Sequence, residues 1–121
     1  MHVDDRTRLQ HMLDASRDAL TFVRGKKVSD LARDKQLTLA LFKCIEIIGE
    51  AASRISVATR EGHPEVPWAN IIGMRNRLVH VYFDVDAELV FETVRDELPP
   101  LIEKIERIVK GQGRPSSRGP R

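Results

Sequence analysis

The stretch Leu37-Thr38-Leu39-Ala40-Leu41-Phe42-Lys43-Cys44-Ile45-Glu46-Ile47-Ile48-Gly49-Glu50-Ala51-Ala52-Ser53-Arg54-Ile55 decides the fold. Leu37, Leu41, Cys44, Ile45, Ile48, Ala52 and Ile55 recur at three- and four-residue steps and make one apolar stripe of a helix. Leu39, Phe42, Ile47 and Ala51 make a second. Together they predict one long helix, from about Asp30 to Ala58, buried on two sides. A chain of 121 residues supplies few partners for two apolar faces. One face therefore meets either the chain's own helices or a second subunit. Gly49, Ala51, Ala52 and Ser53 are small enough to let another helix approach closely.

Upstream, Leu9, Met12, Leu13, Ala19, Leu20 and Val23 predict a first helix from Asp4 or Asp5 to Arg24. Gly25 is a natural stop, Lys26 and Lys27 suit the negative end of that helix, and Ser29 or Asp30 offers a cap for the next. Downstream, Arg60 to Pro67 reads as a loop, because His63-Pro64 and Val66-Pro67 push their first members out of helical geometry. Trp68 and Ile71 are expected to close over the core just beyond it. A short helix is expected from Ala69 to Val81, followed by a cap at Asp84 or Asp86. The last helix runs to about Val109 on Leu89, Val90, Val94, Leu98, Leu101, Ile105 and Ile108, with a kink or short break at Pro99-Pro100. The expected architecture is an all-α antiparallel bundle of four to five helices over residues 1–109. A basic tail, 110–121, has the composition of disordered chain.

Composition agrees. With 41% hydrophobic and 31% charged residues the chain can bury a core, which excludes wholesale disorder. Four Phe, one Trp and one Tyr are few for a β-sandwich. The single cysteine, Cys44, excludes an intrachain disulfide and a cysteine-rich zinc site; its apolar neighbours predict a buried, reduced thiol. No apolar run approaches the ~20 residues that cross a bilayer, and the charged start has no signal-peptide pattern. No membrane association is expected, and a cytoplasmic location is. Lys110, Arg114, Arg118 and Arg121 carry four of the 20 basic residues with no acid among them, so the body is slightly acidic despite a net charge of +2. Any nucleic-acid role must rest on a local basic site.

The chemistry concentrates in Met74-Arg75-Asn76-Arg77-Leu78-Val79-His80-Val81-Tyr82. On a helix turning about 100° per residue, Ile71, Met74, Leu78 and Val81 share the core face. Asn76 and His80 then lie together on the opposite side with Arg77 near them, and Arg75 reaches round from the flank. Arginine offers a charged fork for phosphate oxygens, and a histidine with an ordinary pKa of about 6.5 exchanges protons at neutral pH. Taken alone, the Arg-x4-His spacing favours the bland reading, a solvated helix face with a capping histidine, because such a pair occurs by chance in many helical proteins. No phosphate-binding loop, dinucleotide turn or zinc-protease helix is present, and no carboxylates and histidines stand at metal-ligand spacing. Neither a metal nor a cofactor is expected. Metal-free chemistry at a phosphate points to RNA, whose 2′-hydroxyl is an internal nucleophile.

Arg75-x4-His80-x-Tyr82, with Asn76 directly after the arginine, resembles the signature of the HEPN superfamily in its HepT-like toxin branch. The resemblance extends over residues 4 to 109. It includes the Ile45–Ala52 run, the Pro67-Trp68 pair before the short helix and the Tyr82-Phe83-Asp84 sequence after it. It implies a dimerising helical bundle that acts as a metal-independent endoribonuclease toxin of a type II toxin–antitoxin module. It also implies a minimal nucleotidyltransferase antitoxin that attaches AMP to Tyr82. On this reading His80 transfers a proton, Arg75 holds the scissile phosphate, Asn76 orients phosphate or imidazole, and Arg77 makes a general RNA contact. Glu46 and Glu50 belong to the matching run without an assigned chemistry and are expected at the surface or an interface. His2, His11 and His63 are isolated. Two readings compete: a non-catalytic subunit that binds a nucleotide or the nucleotidyltransferase, and a plain helical dimerisation protein.

Overall fold

Acidic residues at the start of a helix meet the positive end of its dipole, and Asp4 and Asp5 occupy the first turn of α1, Val3–Val23. Its buried stripe is Leu9, Met12, Leu13, Ala15, Ser16 and Ala19. The helix stops as expected at Gly25, whose φ of 76° lies where a side chain would be strained. The computed structural model describes residues 3–79 and 84–112.

The long second helix is three helices: α2 (Val28–Arg33), α3 (Lys35–Ser53) and α4 (Val57–Gly62). Aspartate competes for backbone N–H groups, and Asp34 does so at the first break. Its carboxylate accepts from the Leu37 N–H at 3.0 Å and caps α3. Thr38 then donates to the carbonyl of Leu31 at 2.8 Å across the break. Neither Ser29 nor Asp30 is the N-cap, which is Lys27; Asp30 caps from inside the first turn of α2, its carboxylate accepting from the Lys27 N–H at 2.7 Å. The second break comes from far along the chain. Asp5, buried on α1, accepts from the Ser56 N–H at 2.9 Å, the Ser56 hydroxyl at 2.7 Å and the Thr59 hydroxyl at 2.7 Å. Ser56 is thereby fixed in extended backbone as the cap of α4, so part of the expected 60–67 loop is helical.

Beyond that loop, Trp68 is buried and its Nε1–H donates to the His63 carbonyl at 3.0 Å. α5 spans Trp68–Arg77 and ends earlier than the apolar spacing suggests. Leu78 is buried, its carbonyl accepts from the Asp86 N–H at 2.8 Å, and Val79 pairs with Val85 in an antiparallel bridge. Those partners replace a further helical turn. Asp86 caps α6 by accepting from the Leu89 N–H at 3.0 Å. α6, Ala87–Gln112, runs unbroken through Pro99 and Pro100 and past Val109. Both prolines are exposed, as are Arg95 and Asp96, whose carbonyls lose their i+4 donors to the proline rings. The 113–121 part of the expected tail lies outside the described residues.

Among the described residues six helices form an all-α bundle, in which α1 packs on α3 and α6 while α3 also receives α5. The two apolar faces of α3 are thus largely satisfied within the chain. Gly49, Ala51 and Ala52 are buried, and a β-carbon added at Gly49 would stand 3.3 Å from the Ile71 carbonyl oxygen of α5. The small residues admit the chain's own helix. Leu39 and Ile47 remain outside, 45% and 39% exposed.

Candidate functional site

The close approach at Gly49 sets α5 against α3 and leaves a groove between them of about 300 Å³. Glu46, Gly49, Glu50 and Ser53 line it from α3, and Ile72, Arg75 and Asn76 from α5. The α3 residues recur at i, i+3, i+4 and i+7, so one polar stripe of that helix forms an entire wall.

Arg75 is the centre of the groove. Its Nε–H donates to Glu46 Oε2 at 2.8 Å and Nη1 donates to Asn76 Oδ1 at 3.2 Å. The guanidinium carbon lies 5.5 Å from the centroid of the Phe42 ring, within range of a cation–π contact. Glu46 also faces Lys43 at 3.7 Å, and Glu50 is paired with Arg54 at 2.8 Å. Each carboxylate that lines the groove therefore faces a cation. Among the described residues two of the five guanidinium N–H groups are engaged, and the others face no partner there, which leaves donors for an oxyanion.

The expected site residues separate. Arg75 and Asn76 come together on the groove. Arg77 turns to the other side of α5, where Nη1 donates to the Asn70 side-chain oxygen at 2.7 Å and Nη2 stands 3.6 Å from Glu97 of α6. The two arginines do not share one exposed face, because α3 claims Arg75 and α6 claims Arg77. His80 and Tyr82 lie outside the described residues. The helical-wheel argument that set His80 beside Asn76 loses its basis, since α5 ends at Arg77. Glu46 is the residue sequence reasoning left without a role, and its i, i+3, i+4, i+7 stripe with Gly49, Glu50 and Ser53 was the available signal. Phe42, expected only as part of an apolar stripe, lies under the guanidinium.

Cys44 is buried as expected, and its thiol is pushed up to about 11 by burial and by the charge of Asp18. His63 stands 3.5 Å from Glu65, and His11 is exposed. Among the described residues no group of three or more His, Cys, Asp or Glu side chains is placed to hold a metal ion. None of their helices is long and apolar enough to cross a membrane.

Fold and groove define a helical-bundle domain with an arginine–amide pair at an open polar cleft. The family profile described as "Ribonuclease HepT-like" matches residues 12–108, and the chain belongs to this family. It is 36% identical to "Putative RNase TTE0752" of Caldanaerobacter subterraneus subsp. tengcongensis over 84% of this chain and 91% of that protein. It is 33% identical to "Putative RNase MJ1216" of Methanocaldococcus jannaschii, over 84% of each. It is 37% identical to "Probable ribonuclease HepT" of Thermococcus cleftensis over 74% of this chain and 81% of that protein. No solved structure matches the chain at a significant level.

Proposed function

We propose that the chain is a metal-independent endoribonuclease that cleaves RNA through its 2′-hydroxyl and acts as the toxin of a type II toxin–antitoxin module. The observation that carries this reading is the Arg75–Asn76 pair on an open groove, five residues before a histidine, in a member of a ribonuclease family. The relatives named as ribonucleases support RNA as the substrate.

In the proposed reaction a base removes the 2′-hydroxyl proton, the 2′-oxygen attacks phosphorus, and the bond to the 5′-oxygen breaks as an acid protonates it. Arg75 binds the phosphate and stabilises the charge that develops on it, while Asn76 orients phosphate or imidazole. His80 carries the protons. The products are a 2′,3′-cyclic phosphate and a 5′-hydroxyl. One chain offers one motif histidine and the reaction needs a base and an acid, so two chains around one groove would provide both. The half-exposed Leu39 and Ile47 on α3 support a homodimer through that helix. Arg77 serves as a general contact to the RNA backbone at the α6 side. A minimal nucleotidyltransferase transfers AMP to Tyr82; the added negative charge repels RNA and competes for Arg75.

The test is cleavage of a labelled RNA by wild type, Arg75→Ala and His80→Ala in a strong chelator, with end-group analysis. The reading expects cutting by wild type alone, leaving cyclic phosphate ends. Intact RNA with wild type, or equal cutting by His80→Ala, would favour the non-catalytic subunit that binds a nucleotide or the nucleotidyltransferase. A Tyr82→Phe form is expected to remain toxic in cells and to escape the partner.

A further inference from the structure

Arginine reads a phosphate well only when its planar fork is held in place before the phosphate arrives, because a long, freely rotating stem loses entropy on binding. Arg75 is held on three sides by residues of two helices. Glu46 of α3 takes the Nε–H at 2.8 Å, Asn76 takes Nη1 at 3.2 Å, and the Phe42 ring lies 5.5 Å from the guanidinium carbon. Nη2 has no partner among the described residues and belongs to the part of the fork beyond these braces. The Glu46 side chain is 30% exposed and that of Arg75 40%, so the pair sits at the wall of the groove rather than out in solvent.

We infer that Glu46 is a positioning residue for Arg75: its carboxylate fixes the guanidinium by the Nε edge so that the Nη edge is presented to a phosphodiester. This deepens the ribonuclease reading and rests on it for its kinetic consequence. A second consequence follows from charge. An anion beside a phosphate site weakens ground-state binding of RNA, so Glu46 trades affinity for orientation. Removing it frees the arginine to wander and at the same time lowers the repulsion. The two effects separate in kinetics, with kcat falling and KM not rising.

The experiment uses the full chain with Glu46→Ala and Glu46→Gln, the glutamine keeping an oxygen acceptor for Nε–H without the charge. Thermal unfolding checks that all forms are folded. The Arg75 Nε–H signal in a nitrogen–proton NMR spectrum reads the brace directly and needs no activity. It is expected to exchange slowly with water in wild type and in Glu46→Gln, and at least about tenfold faster in Glu46→Ala. With a cleavable RNA, Glu46→Ala should lose kcat by about tenfold with KM unchanged or lower, and Glu46→Gln should recover most of that loss. Unchanged Nε–H exchange in Glu46→Ala, an unchanged kcat, or a glutamine form as slow as the alanine form would overturn the inference. Failure of wild type to cut RNA would instead refute the ribonuclease reading, and the NMR comparison would still decide whether Glu46 braces Arg75.

Discussion

Replacing Asp5 by alanine removes one buried carboxylate that accepts from three donors on a segment about fifty residues away. The two hydroxyls can turn to other partners, and Ser56 Oγ already stands 3.2 Å from Thr59 Oγ1, to which it can donate. The Ser56 N–H cannot turn, and it stands 2.9 Å from the Asp5 oxygen. A hydrogen bond to an ionised group contributes about 1.5–3 kcal/mol, and a buried donor left alone costs about 1–3 kcal/mol. Allowing for re-aimed hydroxyls, Asp5→Ala should lower stability by about 3 kcal/mol, or about 10 °C in Tm for a domain of this size. Urea unfolding followed by circular dichroism measures this. Ser56→Ala keeps the backbone bond and should cost only about 1 kcal/mol by the same scale. A loss below about 1 kcal/mol for Asp5→Ala, or equal losses for the two variants, would show that Asp5 does not hold the start of α4.

Four other expectations follow from packing and charge. Cys44, with its thiol pushed up to about 11, should react with a thiol reagent at neutral pH only as fast as the protein unfolds; rapid labelling of the folded chain would contradict its burial. The same shift makes folding less favourable as pH rises from about 9 towards 11, because the unfolded chain releases that proton first; denaturant titrations across this window should show declining stability. Gly49→Ala gains about 0.5–1 kcal/mol of helix propensity, but its β-carbon meets backbone at 3.3 Å, so α5 must shift outward. Stability should change by less than about 1 kcal/mol, whereas RNA cleavage should fall severalfold, and unaltered cleavage would mean that the spacing of α3 and α5 does not set the site. Arg77→Ala should cost at most about 1 kcal/mol for its exposed pair with Glu97, and should reduce the salt dependence of RNA binding by about one phosphate contact. A loss of cleavage as complete as in Arg75→Ala would place Arg77 in the reaction instead.

Periodicity made the bundle legible, since Leu9 to Ala19 on α1 and Val90 to Ile108 on α6 are buried as their spacing requires. It misjudged the middle of the chain for two physical reasons. Asp34 has the local chemistry of a helix cap, but the apolar stripe runs past it and outweighs it in a pattern. Asp5 fixes the start of α4 through space, and no local window relates residues 5 and 56. The site was legible as a motif and not as a geometry. Arg75 and Asn76 stood out by residue type, while their wall of Glu46, Gly49 and Glu50 was visible only as a stripe with no evident partner. Arg77 shows the limit of a helical wheel: it gives an angle about an axis, and neighbouring helices decide which side chains at that angle are engaged.

The bridge between Val79 and Val85, with the Asp86–Leu78 hydrogen bond beside it, anchors the chain on both sides of the positions that hold His80 and Tyr82. Paired residues in such a bridge stand about 5 Å apart, so Val79 and Val85 are held close together. Lengthening the segment between them by a residue or two changes its closure entropy by about a few tenths of a kcal/mol, whereas an insertion within α5 would turn the side chains beyond it against different neighbours. Single-residue insertions between Val79 and Val85 should thus cost the fold less than insertions within α5. The spacing from the arginine to the histidine can be lengthened there at little cost to the scaffold.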